Sequence, residues 1–117
     1  MSLEGIWSVE IGGIYGWERM GTAFFEKGRY LSGGPVMFSQ GTYVVDGKKV
    51  KIKIKITQHG EKRIAYGEKR KQFSVVITAK RDGNNIKGEA HRKGDKSPAF
   101  KYPVRFSKLA DIPAFPK

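Results

Sequence analysis

From Lys49 to Thr57 the sequence alternates lysine with valine or isoleucine, as KVKIKIKIT. Successive side chains of a β-strand point to opposite faces, so this run places its apolar residues on one face and its lysines on the other. Asp46 and Gly47 precede the run and follow apolar residues that end at Val45, and an Asp-Gly pair in this setting is a strong hairpin signal. The pattern therefore predicts two paired antiparallel strands that each bury one face.

The rest of the chain is divided by glycine-containing turns into similar short segments rich in β-branched and aromatic residues. No window of about 11 residues holds a helical period. The predicted strands cover residues 4–11, 17–26, 29–32, 37–45, 49–57, 72–80, 85–91 and a last segment from about 100 to 107. Such a series predicts an all-β fold, a small eight-stranded antiparallel up-and-down barrel or a curled meander, since closure removes exposed edges.

The chain has 117 residues, a length that suits one domain. We expect that domain to span residues 4–110 and a flexible C-terminal tail to cover residues 111–117, which include two prolines. The sequence has no cysteine, so disulfides and thiolate metal sites are excluded. Neither an apolar run of about 18 residues nor a signal-peptide pattern is present, and we therefore expect a cytoplasmic protein without a membrane span.

Basic residues are concentrated in the second part of the sequence. Residues 1–47 have a net charge of −2, whereas residues 48–117 have a net charge of +14. Such a distribution indicates an anionic partner, and lysines about 7 Å apart along one strand face could contact a phosphate backbone. The candidate contacts are Lys49, Lys51, Lys53 and Lys55. The alternative is a solvated strand face whose lysines discourage aggregation.

Aromatic residues at inferred inward positions form a second candidate site, a ligand cavity in the mouth of the barrel. Its predicted lining is Trp7, Tyr43, Phe73, Phe100 and Phe106. A small apolar molecule is the ligand that such a lining indicates. The alternative is that these side chains simply fill a barrel of this size.

The sequence carries no recognisable catalytic or cofactor-binding motif. His59 and His91 are the only side chains that titrate naturally near neutral pH, and neither has a carboxylate or nucleophile at a known motif spacing. No glycine-rich phosphate loop followed by a helix is present. We therefore expect neither an enzyme nor a bound metal or cofactor.

Four segments of the chain carry a resemblance to a known family. They are GIWSV at residues 5–9, FFEKGRYLSGG at residues 24–34, QGTY at residues 40–43 and FSKLAD at residues 106–111. In this order and spacing they resemble the GrlR-like family over nearly the whole domain. The resemblance implies a small lipocalin-like β-barrel and a homodimer. The best-known member of that family is a negative regulator of type III secretion genes, which binds and restrains a transcriptional activator.

The resemblance also implies one partner contact. In the secretion regulator of that family, an acidic tetrad in a turn between two strands is tied to capture of the activator. The aligned positions here are Val45, Asp46, Gly47 and Lys48, of which only Asp46 is acidic. Asp46 is therefore the residue at which the resemblance implies contact with a regulatory protein.

Taken together, these patterns predict a non-enzymatic regulatory or ligand-binding protein of the GrlR-like type, acting by protein contact or by holding a small apolar ligand in the barrel. The alternative is an electrostatic nucleic-acid-binding protein that uses the basic face. Inward aromatic rings make this alternative the weaker one, because stacking on single-stranded bases needs exposed rings.

Overall fold

The computed structural model describes residues 3–13, 16–34, 37–59, 71–93 and 101–113. These residues form eight strands and no helix: β1 (Gly5–Gly13), β2 (Gly16–Glu26), β3 (Arg29–Gly33), β4 (Met37–Asp46), β5 (Lys49–Gln58), β6 (Gln72–Asp82), β7 (Asn85–Arg92) and β8 (Tyr102–Ala110). Each strand pairs antiparallel with the next one in sequence, and β8 pairs with β1. The predicted all-β fold is confirmed, and it takes the form of a closed barrel.

The strand boundaries lie close to the predicted ones. The lysine run predicted at residues 49–57 corresponds to β5, which extends one residue further. The last strand starts at Tyr102, while Phe100 lies outside the described residues. Residues 111–113 follow β8 outside any strand, and residues 114–117 of the predicted tail lie beyond the described part. In the ranges given above, no helix is long and apolar enough to cross a membrane.

The hairpin after β4 turns one residue later than the sequence predicts. Asp46 is still part of β4 and pairs with Lys49, so the two central residues of the turn are Gly47 and Lys48. Of these two, only Gly47 has a left-handed backbone, with φ at +61°. This is the pattern of a type II′ turn, which needs glycine at its first central position, and not of the type I′ turn that an Asp-Gly pair at the two central positions would favour.

β5 shows how the barrel separates its two faces. Its valine and three isoleucines are buried, whereas the four lysines between them are exposed. The other strands alternate in the same way and supply the remaining core. The buried core residues outside β5 include Val9, Ala23, Met37, Val75, Ile77, Ala79, Ile86, Ala90 and Val104. Burying a side chain of the size of valine or isoleucine contributes about 1.5–3 kcal/mol before the loss of conformational entropy is counted.

Two glycines allow close approach of the backbone on either side of the β5–β6 pair. A Cβ atom on Gly41 would overlap the carbonyl oxygen of Lys53 in β5, and one on Gly88 would overlap the carbonyl oxygen of Thr78 in β6. Because these obstacles are backbone atoms, no side-chain rotation could make room. Glycine inside a strand commonly marks a tight bend of a barrel, and these two positions fit that role.

The barrel closes where β1 meets β8. This pairing runs from Ile6 opposite Ala110 to Ile11 opposite Val104, and its register shifts next to Trp7. On its other edge β1 pairs with β2, with a second register shift between Val9 and Glu10. Each described strand therefore has a neighbour on both sides, so the described sheet has no free edge strand.

Candidate functional site

The described members of the predicted aromatic cavity lie in the barrel interior, where they pack as core. They are Trp7, Tyr43, Phe73 and Phe106. The ring of Phe25, absent from the predicted lining, lies among them. Its centroid is 5.7 Å from that of Trp7, 5.1 Å from that of Tyr43 and 5.7 Å from that of Phe106. Aromatic pairs at these separations attract each other beyond their area burial.

A cavity of about 20 Å³ lies in the described part of the interior, between Tyr30, Met37 and Ile54. That volume has room for about one water molecule, whereas small-molecule pockets commonly measure roughly 300–1,000 Å³. This cavity is too small for the predicted ligand, and ligand binding inside the barrel stays a prediction.

A much larger hollow lies on the outer surface of β4, β5, β6 and β7. It is open to solvent and has a volume of about 1170 Å³. The lysines that line it are Lys49, Lys51, Lys53, Lys80, Lys87 and Lys101. The acidic residues are Asp46, Asp82 and Glu89. Arg81 is also a lining residue, but its guanidinium lies over the buried ring of Trp7. We call this hollow the basic groove, because six lysines outnumber three acidic residues in its described lining.

The basic groove brings together most of the predicted partner contacts. Lys49, Lys51 and Lys53 project into it from one face of β5. Asp46 also lines it and stands opposite Lys49 in the β4–β5 pairing. Lys55 is exposed on the same face of β5 but is not a lining residue. The predicted lysine row is therefore one wall of a larger site.

The register of the strands adds two lysines that the sequence patterns do not single out. Lys80 of β6 stands directly opposite Lys49, and Lys87 of β7 stands directly opposite Lys80. Side chains at such positions have Cβ atoms about 4.5–5.5 Å apart. We call Lys49, Lys80 and Lys87 the cation row. Three positive charges thus cross three adjacent strands on the outer face of the barrel.

The cation row contains two like-charge pairs, Lys49 with Lys80 and Lys80 with Lys87, while Asp46 stands opposite Lys49 on the other side. Like charges directly opposite each other destabilise an antiparallel pair. Among the residues that the structure describes, none supplies an ion pair to Lys49, Lys80 or Lys87. An anion bound over the cation row would relieve this repulsion.

Arg105 of β8 shows how this barrel neutralises a cation elsewhere. It stands next to the cation row, opposite Lys87. Its guanidinium donates to both carboxylate oxygens of Glu10, at 3.0 and 3.3 Å, and lies 4.1 Å from the centroid of the Trp17 ring. The hydrogen bond from Arg105, together with its charge, lowers the pKa of Glu10. Arg105 therefore has both a carboxylate partner and an aromatic partner. In the described barrel, no ion pair and no cation–π contact involves a lysine of the cation row.

A second feature of the outer surface is apolar. Phe24 of β2 and Leu31 of β3 stand opposite each other and are 43% and 50% exposed. Ile6 of β1 stands opposite Phe24 on the other side and is half-buried. We call these three residues the apolar strip. It lies on strands that do not line the basic groove, near an ion pair of 3.1 Å between Arg29 and Glu26.

The two histidines lie in separate places. Nε2 of His59 is 3.0 Å from the carbonyl oxygen of Gly34, and His91 is half-buried in the wall of the basic groove. Within the described ranges, no three histidine or acidic side chains gather in a way that could hold a metal ion. The basic groove is therefore the candidate site that the geometry defines.

Comparison with known proteins adds no family to these observations. No protein-family model matches the chain, and no curated protein matches it. The resemblance to the GrlR-like family therefore stays a prediction, and a functional conclusion has to rest on the barrel and its two outer features.

Proposed function

We propose that this protein is a non-enzymatic binding protein that holds an anionic macromolecule in the basic groove. The observation that carries the proposal is the cation row, which places like charges opposite one another with no described ion pair to offset them. Like charges that repel each other in the isolated fold are expected at a site where a bound anion offsets the repulsion. A groove also concentrates the field of its charges, which speeds the capture of an anionic partner.

The packed interior directs the proposal to the outer surface. Small apolar ligands need a pocket that buries most of their surface, and the interior cavity between Tyr30, Met37 and Ile54 offers about 20 Å³. The basic groove offers about 1170 Å³ and is lined by charged groups. An anionic macromolecule can reach such an open site and contact the lysines of its lining.

We expect labelled heparin, a general polyanion, to bind the protein at low ionic strength and to dissociate as salt screens the charges. Replacing Lys51→Glu together with Lys87→Glu should weaken binding about tenfold or more, a loss of at least about 1.4 kcal/mol. Both lysines line the basic groove, so the change removes two attractions and adds two repulsions. Fluorescence anisotropy across a salt series measures the effect.

The matched control is Arg19→Glu together with Lys71→Glu. Both residues are exposed and lie outside the basic groove, and the net charge changes by the same amount. The control should keep most of the affinity. Equal loss in both double variants would mean that overall charge attracts heparin without a defined site, and would count against the proposal.

Protein contact is a second candidate function, and the apolar strip favours it. Exposed apolar side chains that adjoin one another often mark a protein interface. A second copy of this chain is the partner that fits, because the strip lies beside a neutral ion pair while the basic groove of one copy would repel that of another. The resemblance to the GrlR-like family favours the same kind of contact, that of a dimeric regulator.

We expect the wild-type protein to sediment as a dimer and the variant Phe24→Ser with Leu31→Ser to sediment as a monomer. Both side chains are partly exposed, so the substitution should reduce apolar contact between copies more than it disturbs the core. Val44→Ser is the control, since Val44 is 67% exposed but lines the basic groove. A monomeric wild-type protein, or a dimer that survives the double substitution, would contradict dimerisation through the strip.

A further inference from the structure

The kind of cation in the basic groove indicates the kind of anion. Its described lining contains six lysines and one arginine. The arginine is already engaged, because Nε of Arg81 donates to the carbonyl oxygen of Gly83 at 2.9 Å and its guanidinium lies 5.8 Å from the centroid of the Trp7 ring. Arginine forks recognise a carboxylate or a phosphate at two points, whereas lysine acts as a point charge on either group. The lysines of the groove therefore select an anion by the density of its charges rather than by the shape of one group.

The spacing of the lysines favours a densely charged polymer. Lysines recur about every 7 Å along β5, and the cation row repeats about every 5 Å across the strands. A nucleic-acid duplex carries one negative charge per about 1.7 Å of its axis. Its phosphates are therefore dense enough for lysines spaced either about 7 Å or about 5 Å apart to contact one each. An extended acidic peptide turns a side chain toward one surface only about every 7 Å, and it loses conformational entropy on binding.

The walls of the groove favour a duplex over a single strand. No phenylalanine, tyrosine or tryptophan is among its described lining residues, and Thr42, Val44 and Thr78 lie between the charges. Proteins that hold single strands without sequence preference stack the bases on aromatic rings. A duplex already stacks its own bases and needs only contacts to its backbone.

On these grounds, and resting on the proposed binding of a polyanion, we infer that the basic groove holds the phosphate backbone of duplex nucleic acid without reading its sequence. Backbone contacts position a protein but carry no sequence information. Sequence is read in the major groove by an inserted helix or β-ribbon, and the described barrel presents a lysine-lined sheet face there instead. Binding should therefore be electrostatic and insensitive to base sequence.

The salt dependence gives the inference a quantitative form. The groove lysines on β5, β6 and β7 are Lys49, Lys51, Lys53, Lys80 and Lys87. If each neutralises one phosphate, the logarithm of the association constant should fall against the logarithm of salt with a slope of about −4 to −5, since each phosphate contributes about −0.9. Lys51→Gln with Lys80→Gln should reduce the steepness of that slope by about 2.

The experiment compares three fluorescent probes by anisotropy: a duplex of roughly 20 base pairs, one of its strands alone, and poly-glutamate with a similar number of charges. We expect the duplex to bind at least about tenfold more tightly than either other probe. A second duplex of unrelated sequence should bind equally well. The control Arg19→Gln with Lys71→Gln should leave the salt slope unchanged, because neither residue lines the groove.

The possible outcomes separate the inference from the proposed function. Equal or tighter binding of poly-glutamate would overturn the inference in favour of an acidic protein partner, and equal or tighter binding of the single strand would overturn the choice of a duplex. In both cases polyanion binding in the groove would still stand. A strong preference between the two duplex sequences, or an unchanged slope in the lysine variant, would also overturn the inference. Failure of heparin and all three probes to bind at low salt would overturn the proposed function itself.

Discussion

Replacing Trp7→Ala should lower the free energy of unfolding by about 3–5 kcal/mol, the range found when a large aromatic side chain is removed from a core. The Trp7 side chain is fully buried, its ring is stacked on Phe25 at 5.7 Å, and its Nε1 donates to the carbonyl oxygen of Leu3 at 3.0 Å. The substitution would leave a cavity, remove the ring pair and leave that buried oxygen without its donor. Urea denaturation followed by circular dichroism measures the loss.

Trp17→Ala is the matched control. Trp17 is the other tryptophan of the chain, 43% exposed, and its ring is covered on the outside by Arg105. A cation–π contact at an exposed site is worth about 0.5–1 kcal/mol, so this variant should lose about that much. A loss in Trp17→Ala as large as that in Trp7→Ala would contradict the view that the aromatic cluster in the interior stabilises the barrel.

Replacing Lys80→Glu should stabilise the fold and weaken polyanion binding at the same time. Lys80 is the middle member of the cation row, between Lys49 and Lys87. Glutamate there would turn two like-charge pairs into two opposite-charge pairs, each worth about 0.2–1 kcal/mol, so we expect a gain of about 1 kcal/mol at low salt. Heparin and duplex binding should fall about tenfold or more, because an anion would then stand in the centre of the row.

Lys55→Glu provides the comparison, since it makes the same change of charge on the same barrel face. Its cross-strand neighbours are Gln40 and Ser74, which are uncharged, and it lies outside the basic groove. Thermal unfolding should show little change in stability, and affinity should fall less than in Lys80→Glu. If Lys80→Glu destabilised the protein as salt was lowered, the cation row would not be a site of repulsion, and the main support for the groove would be lost.

The order of the strands could be predicted because its signals are local. Alternation such as that of β5 and glycine-marked turns such as that at Gly47 depend on a few adjacent residues. The exact turn could not be predicted, because Asp46 stays in its strand by pairing with Lys49, and this shifts the turn by one residue. Closure of the barrel could not be predicted from local signals either. It depends on pairing between residues far apart in the sequence, such as Ile6 with Ala110, and on a shift of register next to Trp7.

The candidate site was predictable only in part, for the same reason. Alternation places Lys49, Lys51 and Lys53 on the outer face, whatever the neighbours of β5 are. The addition of Lys80 and Lys87 depends on the register of two further pairings, which no local pattern contains. Whether the interior is hollow depends on summed side-chain volumes, since alternation tells which side a ring occupies but not how much space remains.

Closure of the barrel by β1 and β8 also constrains how the protein can be made. Of the described strands, β1 is synthesised first and β8 last, so one edge of β1 stays without its partner strand until β8 has been made. At a translation rate of about 5–20 residues per second, the roughly 90 residues between them take on the order of 5–20 s. During that interval β1 has an unpaired edge that the folded barrel conceals. We therefore expect strand-to-strand aggregation to threaten the nascent chain more than the closed barrel.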